Sequence, residues 1–439
     1  MDDAVGFQQR FMDHALDPVP EREQRGLIST VGVFVAWVIT TTPFLVAAAL
    51  ASGMSFWTAI AALLVGTVIT ATVGMLVGVL GQRTRLTSYL VSRIVYGAKG
   101  STLISVLIGI LSVGFVGVIA SFLGAVISAG LPFLPVWVGS LSFVIFATFI
   151  ALVGYRGLSV VGQIAVPLLW ALGLFLVIKT LSSTPGGFGH ITAFVPKGSL
   201  AFGTAVTVVV ADWITGATIA SDIARFSKRA RDVAIAAYLG WVVSYSLFAL
   251  IGLFAYYGSG STDIIGLLAG QGLIGLAIFV FFVALISSTD VNLYAFSLAL
   301  TNLCDAFGIK SLSRAAWVII GGAITAAISL LGYANTFLPF LLTIGVIIPA
   351  YAGVVLAHYY LLGASRRTPE ELVSKIEGGI RWTGIVAFIV GVAVAYFTNS
   401  ANIGIPALQG LVVAGLVYTA LEMGLGRRAS VPAAAASAR

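Results

Sequence analysis

The sequence predicts an all-α membrane protein with twelve transmembrane helices. Of its 439 residues, 59% are hydrophobic and only 9% are charged, and the mean hydropathy is +1.07. A soluble domain carries roughly 25% charged residues, so this chain lacks the polar surface that a water-facing globule needs. A soluble enzyme and a disordered chain are both excluded. The apolar residues form continuous runs, which indicates helices, because a membrane barrel would alternate with period two.

Each predicted span is an apolar run close to the ~20 residues that cross a bilayer. In chain order the runs are 27–51, 56–80, 101–129, 134–154, 159–181, 202–224, 233–257, 271–303, 313–331, 337–361, 380–397 and 404–425. Residues 27–425 therefore form a transmembrane domain between an N-terminal tail (1–26) and a C-terminal tail (426–439). Short surface helices are expected between spans at 87–96 and 370–376.

The positions of the basic residues test the number of spans and predict the orientation of the chain in the membrane. With the N-terminus in the cytoplasm, 21 of the 23 lysines and arginines fall in cytoplasmic tails and loops. Only Lys179 and Lys197 fall toward the outside. The positive-inside rule therefore predicts a multi-pass protein of the inner (plasma) membrane with both termini cytoplasmic. The formal net charge of +7 then reflects topology, and nucleic-acid binding is not expected.

Three classes of function compete for such a chain. An embedded enzyme needs clustered catalytic groups, but the three histidines lie far apart and no HExxH or GxSxG motif is present. A channel would show a repeated filter or rings of charged side chains, and the sequence has neither. A secondary transporter predicts helices interrupted at equivalent positions of two halves, and that pattern is present. A sensor that binds a ligand without moving it is the alternative outside the transporters.

Two spans carry helix-breaking residues at similar depth. Span one contains Thr40-Thr41-Thr42-Pro43, and proline interrupts a helix. Span six contains a polar stretch at 212–218, in which Gly216 and two threonines weaken the helix. Because these spans are five apart, we expect two inverted five-helix repeats, at about 27–181 and 202–361, with extra helices at about 380–425. The interruptions predict a binding site between them.

Carboxylates within the apolar runs point to the same region. Asp212 and Asp290 lie well inside spans, where a charge costs ~2.5–3.5 kcal/mol and needs a cavity, a partner or a proton. Asp222, three residues before Arg225, is expected in a helix-end ion pair or at a cytoplasmic gate. Glu422 ends the last span and is expected to be solvated.

Several segments resemble a known family. Residues 81–101 read GQRTRLTSYLVSRIVYGAKGS, which includes an R-x-x-[FY]-G-x-x-G-S segment. Further matches lie at 164–167 in span five, at Asp222 with 225–226, at Asp290 with 292–294, and at 348–349 in span ten. Their order and spacing over residues 26–425 resemble the nucleobase:cation symporter family (purine/cytosine permease type), in particular its cytosine permease-like branch. The resemblance implies the leucine-transporter-type fold and alternating access.

The resemblance also implies a substrate site. Members of this family bind a planar heterocycle between aromatic residues of spans three and six. The matching substrate-binding positions here are Ser112, Phe115, Asp212, Trp213, Thr215 and Thr289. Ser112, Phe115, Asp212 and Thr289 depart from the cytosine pattern. An anionic Asp212 favours a substrate rich in N–H donors or one with positive charge, or else carries the coupling proton.

A coupling-ion site follows from the same resemblance. Many members couple uptake to Na⁺, held by carbonyls at the break in span one and by a carbonyl and two hydroxyls of span eight. The matching residues here are Ala36, Ile39, Ala284, Ser287 and Ser288. Coupling to H⁺ is the alternative, and no other cofactor is expected.

The predicted function is therefore Na⁺- or H⁺-coupled symport of a nucleobase or a related planar heterocycle into the cytoplasm. Cytosine, a purine or a pyrimidine vitamin precursor are the substrates considered. An organic-cation or amine transporter on the same fold, with Asp212 as counter-ion, is the alternative. The sequence does not indicate an oligomeric state.

Overall fold

The computed structural model describes residues 18–425 apart from 154, 261–263 and 271. The side chains at 153–166, 264, 267, 287, 288, 290, 291 and 333–336 also lie outside the description. The secondary structure of the described residues is helical, apart from an isolated bridge between Arg25 and Ser227.

Each of the twelve predicted runs coincides with a helix or a pair of helices. They are Leu27–Val38 with Thr42–Gly53 (span one), Phe56–Thr84 (two), Gly100–Gly130 (three), Val136–Val153 (four), Tyr155–Ser183 (five), Phe202–Thr218 with Ala220–Ala224 (six), Ala230–Ser259 (seven), Ile274–Ala306 (eight), Arg314–Ser329 (nine), Tyr333–Leu356 (ten), Trp382–Ser400 (eleven) and Pro406–Gly424 (twelve). Among the described residues, six helices are long and apolar enough to cross a membrane, or seven if the bent pair of span one is counted. Five shorter apolar helices occupy the remaining runs.

The predicted break in span one is confirmed. The first half ends at Val38, the second begins at Thr42, and the two halves are bent by 53°. Pro43 lies in the first turn of the second half, where its missing N–H costs nothing because that group would lack an intrahelical partner anyway. The bend therefore follows from a local rule of helix geometry.

The interruption of span six is also present, but it lies later than the sequence predicts. The helix runs unbroken from Phe202 to Thr218 and is interrupted at Ile219, before the short helix Ala220–Ala224. Asp212 and Gly216 are consequently helical residues. Burial of this stretch against its neighbours keeps the helix intact where glycine and threonine alone would weaken it.

Glycines set the distance between many of the spans. A Cβ at Gly66 of span two would lie 2.6 Å from Val209 of span six, and one at Gly252 of span seven would lie 2.7 Å from Ala47 of span one. A Cβ at Gly117 of span three would lie 2.5 Å from Ile328 of span nine. Such small residues allow helices to approach closely in a membrane. Spans one, two, six and seven pack as one group, and spans three, four, eight and nine pack as another.

Both predicted surface helices are confirmed, at Ser88–Tyr96 and Pro369–Ser374. The first, which we call the corner helix, links the two groups of spans. The Asp222 carboxylate of span six accepts a hydrogen bond from the Ser88 amide at 2.7 Å and lies within electrostatic range of Arg225. The Tyr89 hydroxyl of the corner helix donates to a carbonyl of span eight at 2.9 Å.

Residues 18–26 are attached to the same end of the molecule. The Arg25 amide donates to the Phe226 carbonyl at 2.6 Å, and the Lys228 amide donates to the Arg25 carbonyl at 2.9 Å. The hydroxyls of Thr30 and Ser227 lie 3.0 Å apart. The start of span one is thereby joined to the loop between spans six and seven.

Glu422 is fully buried, so the expectation of a solvated residue was wrong. Arg381 Nη2 lies 2.5 Å from one of its carboxylate oxygens, and the Thr383 hydroxyl donates to the other. Arg381 also donates to the Ile94 carbonyl of the corner helix at 3.0 Å. The ion pair therefore ties the start of span eleven, the end of span twelve and the corner helix together.

Replacing Arg381 with methionine should destabilise the protein by about 3–5 kcal/mol, because it leaves the Glu422 carboxylate buried without its partner. The midpoint of thermal unfolding of purified protein in detergent measures the effect. The double variant Arg381→Met, Glu422→Leu removes both charges and should recover most of the loss. A double variant as unstable as the single one would contradict this origin.

Candidate functional site

The break in span one is fixed to span six by a hydrogen bond. The Thr42 hydroxyl donates to Asp212 Oδ2 at 2.9 Å, and the hydroxyls of Thr40 and Thr42 lie 3.1 Å apart. All three threonines from Thr40 to Thr42 are buried. Because Thr42 begins the second half of span one, the bond holds that half at the depth of Asp212.

Asp212 is only 7% exposed, and its Oδ1 atom has no hydrogen-bond partner. Among the described residues, no lysine, arginine or histidine forms an ion pair with it. The hydroxyl of Tyr245 in span seven faces the carboxylate and interacts with it electrostatically, without completing a well-formed hydrogen bond. A carboxylate at this depth requires a cation, a proton or a ligand donor.

Trp213 presents an aromatic ring beside this carboxylate. Its ring meets that of Trp37 in span one at 5.4 Å between centroids, with the planes 85° apart. Trp37 in turn contacts Phe34 and Trp241 in edge-to-face or tilted arrangements. One side of the Trp213 ring is therefore held by an aromatic cluster, and its indole N–H has no hydrogen-bond partner.

The remaining predicted substrate residues lie on three spans. Ser112 and Thr289 are buried, on spans three and eight, while Phe115 is half-buried against the main core. Thr215 lies half-buried two residues after Trp213. The structure records no ring contact between Phe115 and Trp213 in the described part of the chain, so the aromatic sandwich stays a prediction.

Five buried polar atoms on spans one, six and eight have no hydrogen-bond partner. They are Thr41 Oγ1, Asp212 Oδ1, Trp213 Nε1, Thr215 Oγ1 and Thr289 Oγ1. Each such atom costs about 1–3 kcal/mol relative to a satisfied one. Similar atoms occur on other spans, but three of these five lie within residues 212–215 of span six, so a polar ligand beside that turn gains hydrogen bonds to it.

The predicted sodium residues are only partly described. Ala36 and Ile39 lie at the end of the first half of span one, where the last helical carbonyls lack intrahelical partners. Ala284 is buried on span eight. Ser287 and Ser288 belong to the same helix, but their side chains, like that of Asp290, lie outside the described part. The described residues hold no cluster of His, Cys, Asp or Glu that could bind a metal ion.

Sequence reasoning missed three contributors to the site: Thr42 as the partner of Asp212, Tyr245, and Trp37. Thr42 carried a signal, since it stands in the polar triplet before Pro43. Trp37 and Tyr245 carried none, because single aromatic residues in apolar spans are common in this chain.

The helical architecture, with its interruptions in spans one and six, defines a polytopic membrane transporter of the leucine-transporter type. The particular family follows from the sequence itself. The chain belongs to the family of permeases for cytosine/purines, uracil, thiamine and allantoin, whose sequence profile matches residues 18–419.

Individual relatives agree with this family. The cytosine permease of Escherichia coli (strain K12) is 28% identical over 94% of this chain and 94% of its own length. The hydantoin permease of Microbacterium maritypicum is 23% identical over 90% of this chain and 85% of its own length.

Solved structures support the fold. The nucleobase-cation-symport-1 family transporter Mhp1, closed with bromovinylhydantoin bound, superposes with a TM-score of 0.77 at 19% identity, covering 94% of this chain and 95% of its own. The inward-facing conformation of Mhp1 gives 0.79 at 20% identity, covering 93% of each chain.

Replacing Gly216 with alanine should weaken binding of a stacked heterocycle by about tenfold. A Cβ at Gly216 would lie 2.8 Å from the Trp213 ring and 3.4 Å from Trp37, so the Trp213 ring must move from its position. Binding is measured by the thermal shift that a nucleobase produces. Gly275→Ala, in a helical position where a Cβ meets nothing within 4 Å, is the control, and equal affinity in the two variants would contradict the prediction.

Proposed function

We propose that this protein is a secondary active symporter that brings a nucleobase or a related planar heterocycle into the cytoplasm together with Na⁺ or H⁺. It works in the inner (plasma) membrane with both termini cytoplasmic. The observation that carries the proposal is the presence of buried polar atoms without a hydrogen-bond partner on spans six and eight, among them Trp213 Nε1 and Thr289 Oγ1. A heterocycle offers both a flat π surface for the ring and an edge of donors and acceptors for those atoms.

The proposed binding pose uses three helices. The heterocycle stacks on Trp213, whose ring is held by Trp37, and Phe115 closes the opposite face. Ser112 and Thr289 are small hydroxyl residues that donate to or accept from ring nitrogens and carbonyls. The relatives named cytosine permease and hydantoin permease make substrates of this shape the natural class, within which cytosine, a purine and a pyrimidine vitamin precursor are the members to test.

Sodium is the first coupling ion to test. The helix end at Ala36 and Ile39 offers free carbonyls, and span eight supplies Ala284 with the two serines that follow at 287 and 288. Hard oxygen ligands from an interrupted helix bind Na⁺ without a buried carboxylate. Coupling to H⁺ is the alternative and requires a titratable group within the spans.

A second candidate function is supported by Asp212. Its unpartnered Oδ1 suits a protonated amine, which would make the protein an organic-cation carrier on the same fold. Trp213 would then contribute a cation–π contact.

Uptake into proteoliposomes tests these functions together. Radiolabelled cytosine, uracil, adenine and hypoxanthine are compared with small primary amines under an inward Na⁺ gradient, an inward H⁺ gradient, or neither. Accumulation of a nucleobase under one of the gradients supports the proposal. Accumulation of amines alone favours the second candidate function. Binding without uptake would indicate a sensor and contradict transport.

Replacing Trp213 with alanine should lower affinity for the heterocycle roughly 5- to 150-fold, which corresponds to about 1–3 kcal/mol of base–aromatic stacking. Trp382→Ala, which removes a tryptophan that is 65% exposed at the start of span eleven, is the matched control. Retained affinity in the Trp213 variant would move the site elsewhere.

Replacing Ser287 and Ser288 together with alanine should remove the stimulation of uptake by Na⁺, since both hydroxyl ligands are lost. The measurement is initial uptake rate as a function of Na⁺ concentration. Ser182→Ala, at an exposed serine on span five, serves as control. An unchanged Na⁺ dependence would exclude the two serines as ligands.

A further inference from the structure

Resting on the proposed symport function, we infer that Asp212 and Tyr245 form a proton-binding site, distinct from the substrate contacts, that supplies a coupling ion for transport. The site joins spans one, six and seven. The ligand is a proton, carried on Asp212 Oδ1 and hydrogen-bonded to the Tyr245 hydroxyl.

A hydrogen bond orients Asp212 toward span one, and Tyr245 of span seven lies on its other side. Its Oδ2 atom accepts from Thr42, which is itself linked to Thr40, and the Tyr245 hydroxyl of span seven faces the carboxylate. Asp212 is 7% exposed and Tyr245 is 2% exposed. Both Asp212 Oδ1 and the Tyr245 hydroxyl lack hydrogen-bond partners, so each has capacity for one more bond, and a single proton on Asp212 satisfies both.

The backbone of span seven is irregular at this point. Residues Tyr238–Tyr245 form a π-helical segment, and Tyr245 is its last residue. Such segments are rare and occur frequently at functional sites. The carboxylate thus lies between two backbone irregularities, the break in span one and the π-helical turn of span seven, and a change in its charge acts on both.

The surroundings suit a proton better than a metal cation. The Thr42 hydroxyl is already engaged with Oδ2 and Thr40, which leaves Oδ1 and the Tyr245 oxygen as the available ligands. A metal cation requires several oxygen ligands, whereas a protonated carboxyl needs one acceptor. Carboxylates buried in membrane spans recur as proton carriers in pumps and transporters.

No other charge competes for this carboxylate among the described residues. Span one contributes Thr40 and Thr42, and span seven contributes Tyr245 as the single titratable neighbour. Spans two, ten and twelve also pack against span six, and they place no charged group against Asp212. The acidic residue in the second part of span six, Asp222, bonds instead to the corner helix.

The charge state of Asp212 changes its hydrogen bonds. When ionised, the carboxylate accepts from Thr42, and its Oδ1 atom faces the Tyr245 hydroxyl as an acceptor. When protonated, it accepts from Thr42 and donates its own proton to the Tyr245 oxygen, so the Tyr245 hydrogen must turn away. A proton taken up from the outer solution and released to the cytoplasm therefore rearranges contacts between the halves of span one and spans six and seven in each cycle.

The test measures proton entry and substrate exchange separately. Wild-type protein, Asp212→Asn and Tyr245→Phe are reconstituted in sodium-free liposomes that contain the pH indicator pyranine. Cytosine, uracil, adenine and hypoxanthine are each supplied, and counterflow of the radiolabelled base is recorded in parallel. We expect base-driven acidification in the wild type. In Asp212→Asn, the number of protons that enter per base exchanged should fall at least tenfold.

Three results would overturn the inference. The first is wild-type counterflow without acidification, and the second is Asp212→Asn with wild-type proton entry. The third is an Asp212→Asn variant that elutes as a folded monodisperse protein yet loses base binding, since Asp212 would then contact substrate. In Tyr245→Phe, proton entry should persist with an altered pH dependence, and an unaltered pH profile would remove Tyr245 from the site. Wild-type protein that shows no counterflow of any base, with or without added Na⁺, fails the proposed symport function itself, whereas counterflow only with Na⁺ overturns the proton site alone.

Discussion

The unpaired backbone at the break in span one is the constraint on which the rest of this structure depends. In a bilayer, peptide groups cannot find water, so irregular backbone is tolerated only where protein or a polar cavity surrounds it. Ile39 and all three threonines from Thr40 to Thr42 are accordingly buried. The carboxylate of Asp212 supplies the acceptor that fixes the second half of the span.

The molecule has parts in which helices are packed tightly together and a part, at the break in span one, in which buried polar groups lack partners. Glycine contacts hold helix against helix within each group of spans, as between Gly66 and Val209 or between Gly117 and Ile328. The Arg381–Glu422 ion pair holds the ends of spans eleven and twelve to the corner helix. Three polar atoms without partners, on Asp212, Trp213 and Thr215, lie on one turn of span six, so the proposed substrate site contains unmet hydrogen-bonding capacity.

Most of the fold could be predicted from the sequence by rules that involve only neighbouring residues. Twelve apolar runs, the proline-induced break before Pro43 and both surface helices follow from composition and helix geometry, because each depends on neighbouring residues. The family resemblance added the inverted-repeat fold. Long-range pairings could not be predicted from the sequence. Thr42 and Asp212 are 170 residues apart, and neither segment contains a pattern that indicates the other as its partner. The sequence predicted a solvated Glu422 at a helix end because the residues that bind its carboxylate, Arg381 and Thr383, belong to a different span. The interruption at Ile219 was misplaced because tertiary packing outweighed the weak helix propensity at Gly216.

The attachment of residues 18–26 has a mechanical consequence. Backbone hydrogen bonds from Arg25 to Phe226 and Lys228, together with the contact between Thr30 and Ser227, clamp the beginning of span one to the loop that follows span six. The first half of span one therefore cannot move independently of this loop. Any displacement of it must carry the junction of spans six and seven along, so a spectroscopic label near Arg25 would report the tilt of a whole group of helices.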